Sequence, residues 1–204
     1  MTSKEAFSNL EIWISDKGSG GYMDNTYDPY YRVVNHYLNE EFGIQQCRDE
    51  LSDLVDVLMK YDRNICLEIG LGHFGSTHFL WNQIFEKTIT IEKNFERIKK
   101  FGKNIKKFYA DRSIDVEKSQ FFIGYSNDEK IIADVYSSIS NIDFLFIDGN
   151  HSYESVLCDF LLYYPLVKNG GIVAFHDTKL SKYNIGVPRL ISEIRDGRYT
   201  NDSR

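Results

Sequence analysis

The residues with the most chemical potential cluster in short runs at the ends of apolar stretches. The first is Glu68-Ile69-Gly70-Leu71-Gly72-His73-Phe74-Gly75-Ser76-Thr77, directly after an apolar run and at the head of an amphipathic one. Glycine at such a junction lets the backbone turn sharply and approach a ligand closely, while the helix that follows presents unpaired N–H groups. Gly70, Gly72 and Gly75 match the Gly-x-Gly-x-x-Gly spacing of nucleotide-binding loops, and Glu92 lies 20 positions beyond Gly72, where an acid for ribose hydroxyls belongs. This pattern alone admits a nicotinamide dinucleotide. Glu68, however, puts a carboxylate at the strand end itself, which suits a cationic amino group and suits a pyrophosphate poorly.

Two further runs carry polar groups just beyond apolar stretches. Asp143-Phe144-Leu145-Phe146-Ile147 leads into Asp148-Gly149-Asn150-His151-Ser152-Tyr153, and Gly170-Gly171-Ile172-Val173-Ala174-Phe175 leads into His176-Asp177. The carboxyl ends of parallel strands are where open α/β sheets bind ligands. Together with Glu68 to Thr77, these runs resemble the class I S-adenosylmethionine-dependent methyltransferases, in particular the branch of macrocin-type and rhamnosyl O-methyltransferases and cephalosporin hydroxylase-like proteins. The resemblance covers roughly residues 45 to 178. It implies that Glu68, Gly70 and Gly72 line the methionine part of the cofactor and that Glu92 holds its ribose. Gly124 and Ser126 match an element that flanks adenine, with Tyr125 standing where an acid is usual. Asp148 and Asp177 correspond to carboxylates that hold a divalent metal in several relatives, Asp148 also facing the cofactor, and His151 corresponds to a proposed general base. His176 stands where the metal-dependent members carry an acid.

Elementary chemistry is consistent with these roles. A methyl transfer is an in-line displacement, so the protein must align an acceptor oxygen behind the methyl group and remove its proton. A histidine titrating near its usual value of about 6.5 can accept that proton at neutral pH. A divalent cation between Asp148 and Asp177 would orient and acidify a bound hydroxyl; His176 in place of a carboxylate weakens the case for Mg2+ and leaves room for a softer metal or none. The competing structural roles are helix capping by Asp148, loop capping by Asp177, and a purely structural Asp143 ahead of its strand. His36, His73 and His78 lack a partner cluster and read as packing or surface residues.

The elements that must position these residues follow from periodicity. From about residue 50 onward, short apolar runs alternate with amphipathic segments, the pattern of a Rossmann-like, doubly wound, mostly parallel sheet with helices on both faces. Strands are expected at 65–69, 88–91, 120–123, 144–147 and 172–175, with Asn169-Gly170-Gly171 as the turn before the fifth. Leu51, Leu54, Val55 and Leu58 share one helical face, as do Tyr153, Val156, Leu157, Phe160, Leu161 and Tyr164, and as do Val187, Leu190, Ile191 and Ile194. Residues 1–45 read as an N-terminal arm or lid ahead of a domain at 46–204, because Tyr22, Tyr27, Tyr30, Tyr31 and Tyr37 fall within 16 positions; an N-terminal helix packed on the sheet is the simpler alternative. The polar tail from Gly197 is too short for a further strand pair, so C-terminal strands of the fold are expected to be missing.

A length of 204 residues and a 26% charged composition fit one globular domain. Net charge of −6 disfavours a nucleic-acid partner, and the basic stretch Lys93 to Lys107 reads as the solvated face of a helix. No apolar run approaches the roughly 20 residues of a membrane span, and the first residues lack a signal-peptide core, so no membrane partner and a cytoplasmic location are expected. Cys47, Cys66 and Cys158 are odd in number and widely spaced, as in a chain with reduced thiols. The expected function is methylation of a hydroxyl on a small-molecule acceptor of sugar or natural-product type, using S-adenosylmethionine with Mg2+, another divalent metal or no metal, in a monomer or homo-oligomer. A nicotinamide-dependent oxidoreductase and a noncatalytic cofactor-binding protein are the alternatives.

Overall fold

Apolar runs too short for helices become strands, and the amphipathic segments between them cover the sheet. The structure, a computed structural model, describes residues 1–16, 46–72, 75–110, 118–179 and 186–199, with backbone alone at 13–16 and 103–110. In chain order the elements are α1 (Ser3–Asp16), α2 (Arg48–Leu58), β1 (Ile65–Ile69), α3 (Ser76–Ile84), β2 (Lys87–Glu92), α4 (Phe95–Ala110), β3 (Ser119–Ile123), α5 (Glu129–Ser138), β4 (Ile142–Ile147), α6 (Tyr153–Tyr163), a 3-10 turn (Tyr164–Leu166), β5 (Val167–Phe175) and α7 (Gly186–Arg195). The five strands pair in the order β3-β2-β1-β4-β5, all parallel. The chain therefore winds outward from β1, then crosses between β3 and β4, and that reversal is the switch point where a ligand crevice opens.

Strand side chains alternate between two cores. Cys66, Phe144 and Phe146 face α1, α2, α3 and Phe101 of α4. Leu67, Ile69, Ile89, Ile91, Leu145 and Ile147 face α5, α6 and α7. Burial on both sides explains why these strands read as continuous apolar runs rather than as alternating ones. Ala6, Phe7 and Leu10 of α1 are buried in the first core. The tyrosine-rich segment of the lid expectation, with His36, His73 and the tail beyond residue 199, lies outside the described residues.

One boundary differs from expectation. Asn169 to Gly171 lies inside β5, not before it: five residue steps from Val167 to Ile172 oppose two from Ile142 to Phe144 on β4. The extra residues form a bulge, with Gly170 at φ 79°. The glycines bend the backbone within the strand, and the ladder resumes on both sides.

Candidate active site

Backbone ladders extend past the strands and bring the loops to one edge. The N–H of Gly70 donates to the Ile91 carbonyl (3.0 Å), that of Asp148 to Ile69 (2.9 Å), that of His176 to Ile147 (3.0 Å) and that of Gly124 to Glu92 (3.2 Å). Each loop thus starts at a fixed height over its neighbour, and a cavity of about 580 Å³ opens above β1, β2, β3 and β4. That volume lies within the roughly 300–1,000 Å³ range of small-molecule sites. Gly70, Gly72, Glu92, Ser126, Asp148 and His151 all line it. Gly70 sits at φ 95°, and a Cβ there would overlap the Asp148 carbonyl oxygen, so only glycine lets β1 and β4 close up beneath the cavity.

Glu92 is 3% exposed and ends β2. Its Oε2 accepts the Leu71 N–H (2.9 Å), its Oε1 accepts the Asn94 N–H (2.8 Å), and Arg97 Nη1 approaches Oε2 at 3.5 Å. The carboxylate is thereby fixed between the glycine loop and the start of α4, with lone pairs left for hydroxyl donors. Arg97 and Lys93, read from the sequence as part of a solvated face, instead line this cavity. The helix does present such a face at Glu96 and Lys99, which are exposed.

Glu68 departs from its expected place. It is fully buried and outside the cavity wall, its Oε2 accepting the Thr90 hydroxyl (2.7 Å) with His78 Nδ1 at 3.6 Å. The pleat explains this: Glu68 points to the same face as Cys66, toward α3 and α4, and the ligand edge begins only at Gly70. His78, read as a packing residue, is packed between Phe101 and Phe121 and bonded to Thr90 and Ser119.

At the other end of the cavity two acids and two imidazoles meet. His151 Nδ1 lies 2.8 Å from Asp177 Oδ2, and its Nε2 lies 3.4 Å from Asp148 Oδ1. His176 Nδ1 lies 3.1 Å from Asp148 Oδ1 and 3.5 Å from Asp177 Oδ1. Gln46, which carried no signal in the sequence, donates its amide to Asp148 Oδ2 (3.2 Å). Asp177 holds a left-handed backbone at φ 53°, a conformation that aspartate adopts more readily than most residues other than glycine. Capping does not account for Asp148, because Ser152 caps α6 by accepting the Ser155 N–H. Asp143 is structural: at the opposite edge of the sheet it accepts the Asn64 and Ile65 N–H groups and pairs with Lys168.

These contacts set the charges. Hydrogen bonding to Asp148 and then to Asp177 pushes His151 up to about 10. For His176, burial opposes the charged form, yet the Asp148 carboxylate raises it to about 9. Burial likewise works against ionised Asp148 and Asp177, but the neighbouring imidazoles hold both below the usual carboxylate range. The ordinary titration assumed for His151 therefore does not apply to this geometry: between bare carboxylates it is an imidazolium at neutral pH and donates rather than accepts.

Asp148, His151 and His176 also offer ligand atoms within 4.8 Å of one another, a group able to surround a cation. Compared with the expected set of Asp148, His176 and Asp177, the compact group takes His151 in place of Asp177. Mixed imidazole and carboxylate donors fit a divalent transition ion better than Mg2+, which prefers oxygen alone.

A glycine loop, a buried acid at the end of β2 and a polar cluster along one edge of this sheet define the class: the α/β fold of class I S-adenosylmethionine-dependent methyltransferases. A family model described as a methyltransferase domain matches residues 67–178, and the chain belongs to that family. An uncharacterized protein of Acanthamoeba polyphaga mimivirus is 34% identical over 101 residues, which are 48% of this chain and 46% of that protein, so the chain spans less than half of that relative's length. The fold is shared with an O-methyltransferase from Bacillus cereus solved in complex with SAH (TM-score 0.60, 15% identity, covering 93% of this chain and 79% of that one). It is also shared with the O-methyltransferase TomG from Streptomyces achromogenes, solved in complex with SAM (TM-score 0.55, 17% identity, 76% and 70% covered). Among the described residues no helix is long and apolar enough to cross a membrane.

Proposed function

We propose that this protein transfers the methyl group of S-adenosylmethionine to a hydroxyl of a small acceptor. The observation that carries the reading is a single cavity joining the Gly70–Gly72 loop, Glu92 and the Asp148–His151 pair. The residues present fit the cofactor: Gly72 has open space where a Cβ would stand, and a buried carboxylate faces the cavity at the second strand. The cofactor supplies an electrophilic methyl group. Gly70 and Gly72 leave the backbone open to its amino-acid end, Glu92 accepts hydrogen bonds from its ribose hydroxyls, and Ser126 flanks its base.

His151, at the junction of both carboxylates, is the group to take the acceptor's proton. It can do so only when the negative charge of its two partners is offset. A divalent cation on Asp148 and His176, with His151 as the third nearby donor left free for the proton, would supply that offset and polarise the acceptor oxygen. Without one, His151 stays an imidazolium oriented by Asp148 and Asp177, and one of those carboxylates takes the acceptor's proton through a direct hydrogen bond.

Incubating the protein with isotopically labelled S-adenosylmethionine and a metabolite extract, followed by mass spectrometry, tests the reading: label should appear in one small hydroxylated product together with S-adenosylhomocysteine. Tight cofactor binding with no S-adenosylhomocysteine formed under any metal condition would favour a noncatalytic binding protein. Binding of NAD in preference to S-adenosylmethionine would return the glycine loop to its dinucleotide reading.

A further inference from the structure

One acid in the cavity wall has no part in the chemistry above. Asp159 lies on the second turn of α6, is 3% exposed, and lines the cavity beside Gly149 and Ser126. Its Oδ1 accepts the Ser126 hydroxyl at 2.5 Å, while no described donor reaches Oδ2. Burial raises this carboxyl to about 6, so at neutral pH it is mainly an anion and can only accept hydrogen bonds. Oδ2 is reachable from the cavity, so it stands ready to accept a hydrogen bond from a donor on a ligand there.

The position says which part of the ligand that is. Glu92 at the end of β2 marks the ribose, and the polar cluster at β4 and β5 marks the reacting end. The base then lies on the remaining side, over the end of β3, between the Gly124–Asn127 loop and α6. Tyr125, where an acid would face the base from that loop, is instead 63% exposed. Tyr163, one turn beyond Asp159 on α6, is fully buried and donates its hydroxyl to the Ser126 carbonyl (2.6 Å), so the loop is held in place independently of Asp159.

We infer that Asp159 reads the exocyclic 6-amino group of the cofactor's adenine, through Oδ2, in place of the acid that position 125 lacks. The inference rests on the reading of this cavity as an S-adenosylmethionine site. It makes Asp159 a specificity residue: it accepts an N–H donor, gains no bond from a base without one, and repels a base that presents a lone pair there.

The test is calorimetric binding of two probes, S-adenosylhomocysteine and its purine analogue lacking the 6-amino group, to wild type, Asp159→Ala, Asp159→Ser and Ser126→Ala. Wild type should bind the purine analogue about 10- to 100-fold more weakly, the worth of one hydrogen bond to a charged group. Both Asp159 variants should bind the two probes about equally, and Ser126→Ala should keep the wild-type ratio. Two Asp159 variants guard against one failing to fold, and thermal melts identify such a failure. Equal weakening of both probes, with the ratio preserved, would overturn the inference and leave Asp159 as a prop for the Ser126 loop. A wild-type ratio near one would overturn it without any variant. If wild type binds neither probe, the cofactor reading itself falls, and this inference with it.

Discussion

Replacing Gly70 by alanine asks the sharpest question of the site's architecture, because the two cavity glycines at the end of β1 should respond in opposite ways. At Gly70 the new Cβ would overlap the Asp148 carbonyl oxygen, with the carbonyl carbon 2.9 Å away and the Gly149 Cα at 3.3 Å. Normal carbon contacts are ~3.5–4 Å, so the ends of β1 and β4 must separate by about 1 Å. The Asp148 N–H to Ile69 carbonyl bond, at 2.9 Å, spans that gap. Its loss costs about 1 kcal/mol, overpacking against backbone about 1–3 kcal/mol, and a non-glycine residue at φ 95° about 1–2 kcal/mol. We expect about 3–6 kcal/mol of destabilisation, a large share of an ordinary folding free energy of roughly 5–15 kcal/mol. Gly72→Ala differs: φ is 65° and nothing lies within 4 Å, so only the left-handed backbone is penalised, about 1–2 kcal/mol. Its methyl enters the cavity instead and should weaken S-adenosylmethionine binding by about tenfold or more, at least ~1.4 kcal/mol. Urea unfolding and calorimetry separate the two effects. A Gly70→Ala loss below about 1 kcal/mol, or equal destabilisation by both variants, would refute the close approach of β1 and β4 on which the site is built.

Three further outcomes are expected. His151→Ala should lower turnover about 100-fold or more with cofactor affinity nearly intact, and chelation should act like Asp148→Asn, with little added loss when both are applied; an unchanged wild-type rate in chelator would remove the metal from the mechanism. Glu92→Ala should weaken S-adenosylmethionine binding by about 1.5–3 kcal/mol and also lower the melting temperature, because the Leu71 and Asn94 N–H groups lose their acceptor; an unaltered dissociation constant would take the ribose away from this acid. In chelated protein, His151 and His176 are raised from 6.5 to about 10 and about 9, so the stability they confer is complete below pH 6.5 and is lost as pH rises toward 9–10. Asp159, held at about 6, has mostly titrated below that window. Thermal melts from pH 6 to 10 should therefore fall for wild type and flatten for His151→Ala; parallel curves would mean that the imidazole is not charged in the fold.

Local pattern was sufficient for the strands and for most of the site. A strand buried on both faces must be a short apolar run, and the ligand edge of a parallel sheet must lie where such runs end, so Gly70, Gly72, Glu92, Ser126, Asp148 and His151 were all legible and all line one cavity. The family resemblance added which roles to test. Three things only the tertiary structure decided. Glu68 turns into the core because pleat parity sets its face, and a one-residue difference along a strand reverses a side chain. Gln46 bonds Asp148 from 102 residues before it, and Asp159 reaches the cavity and Ser126 from 33 residues after it, separations over which sequence spacing carries no contact information. The charge on His151 depends on two carboxylates delivered by different strand ends; a histidine's residue type fixes its ordinary titration, but the Coulomb and hydrogen-bond energies that move it to about 10 exist only once β4 and β5 lie side by side.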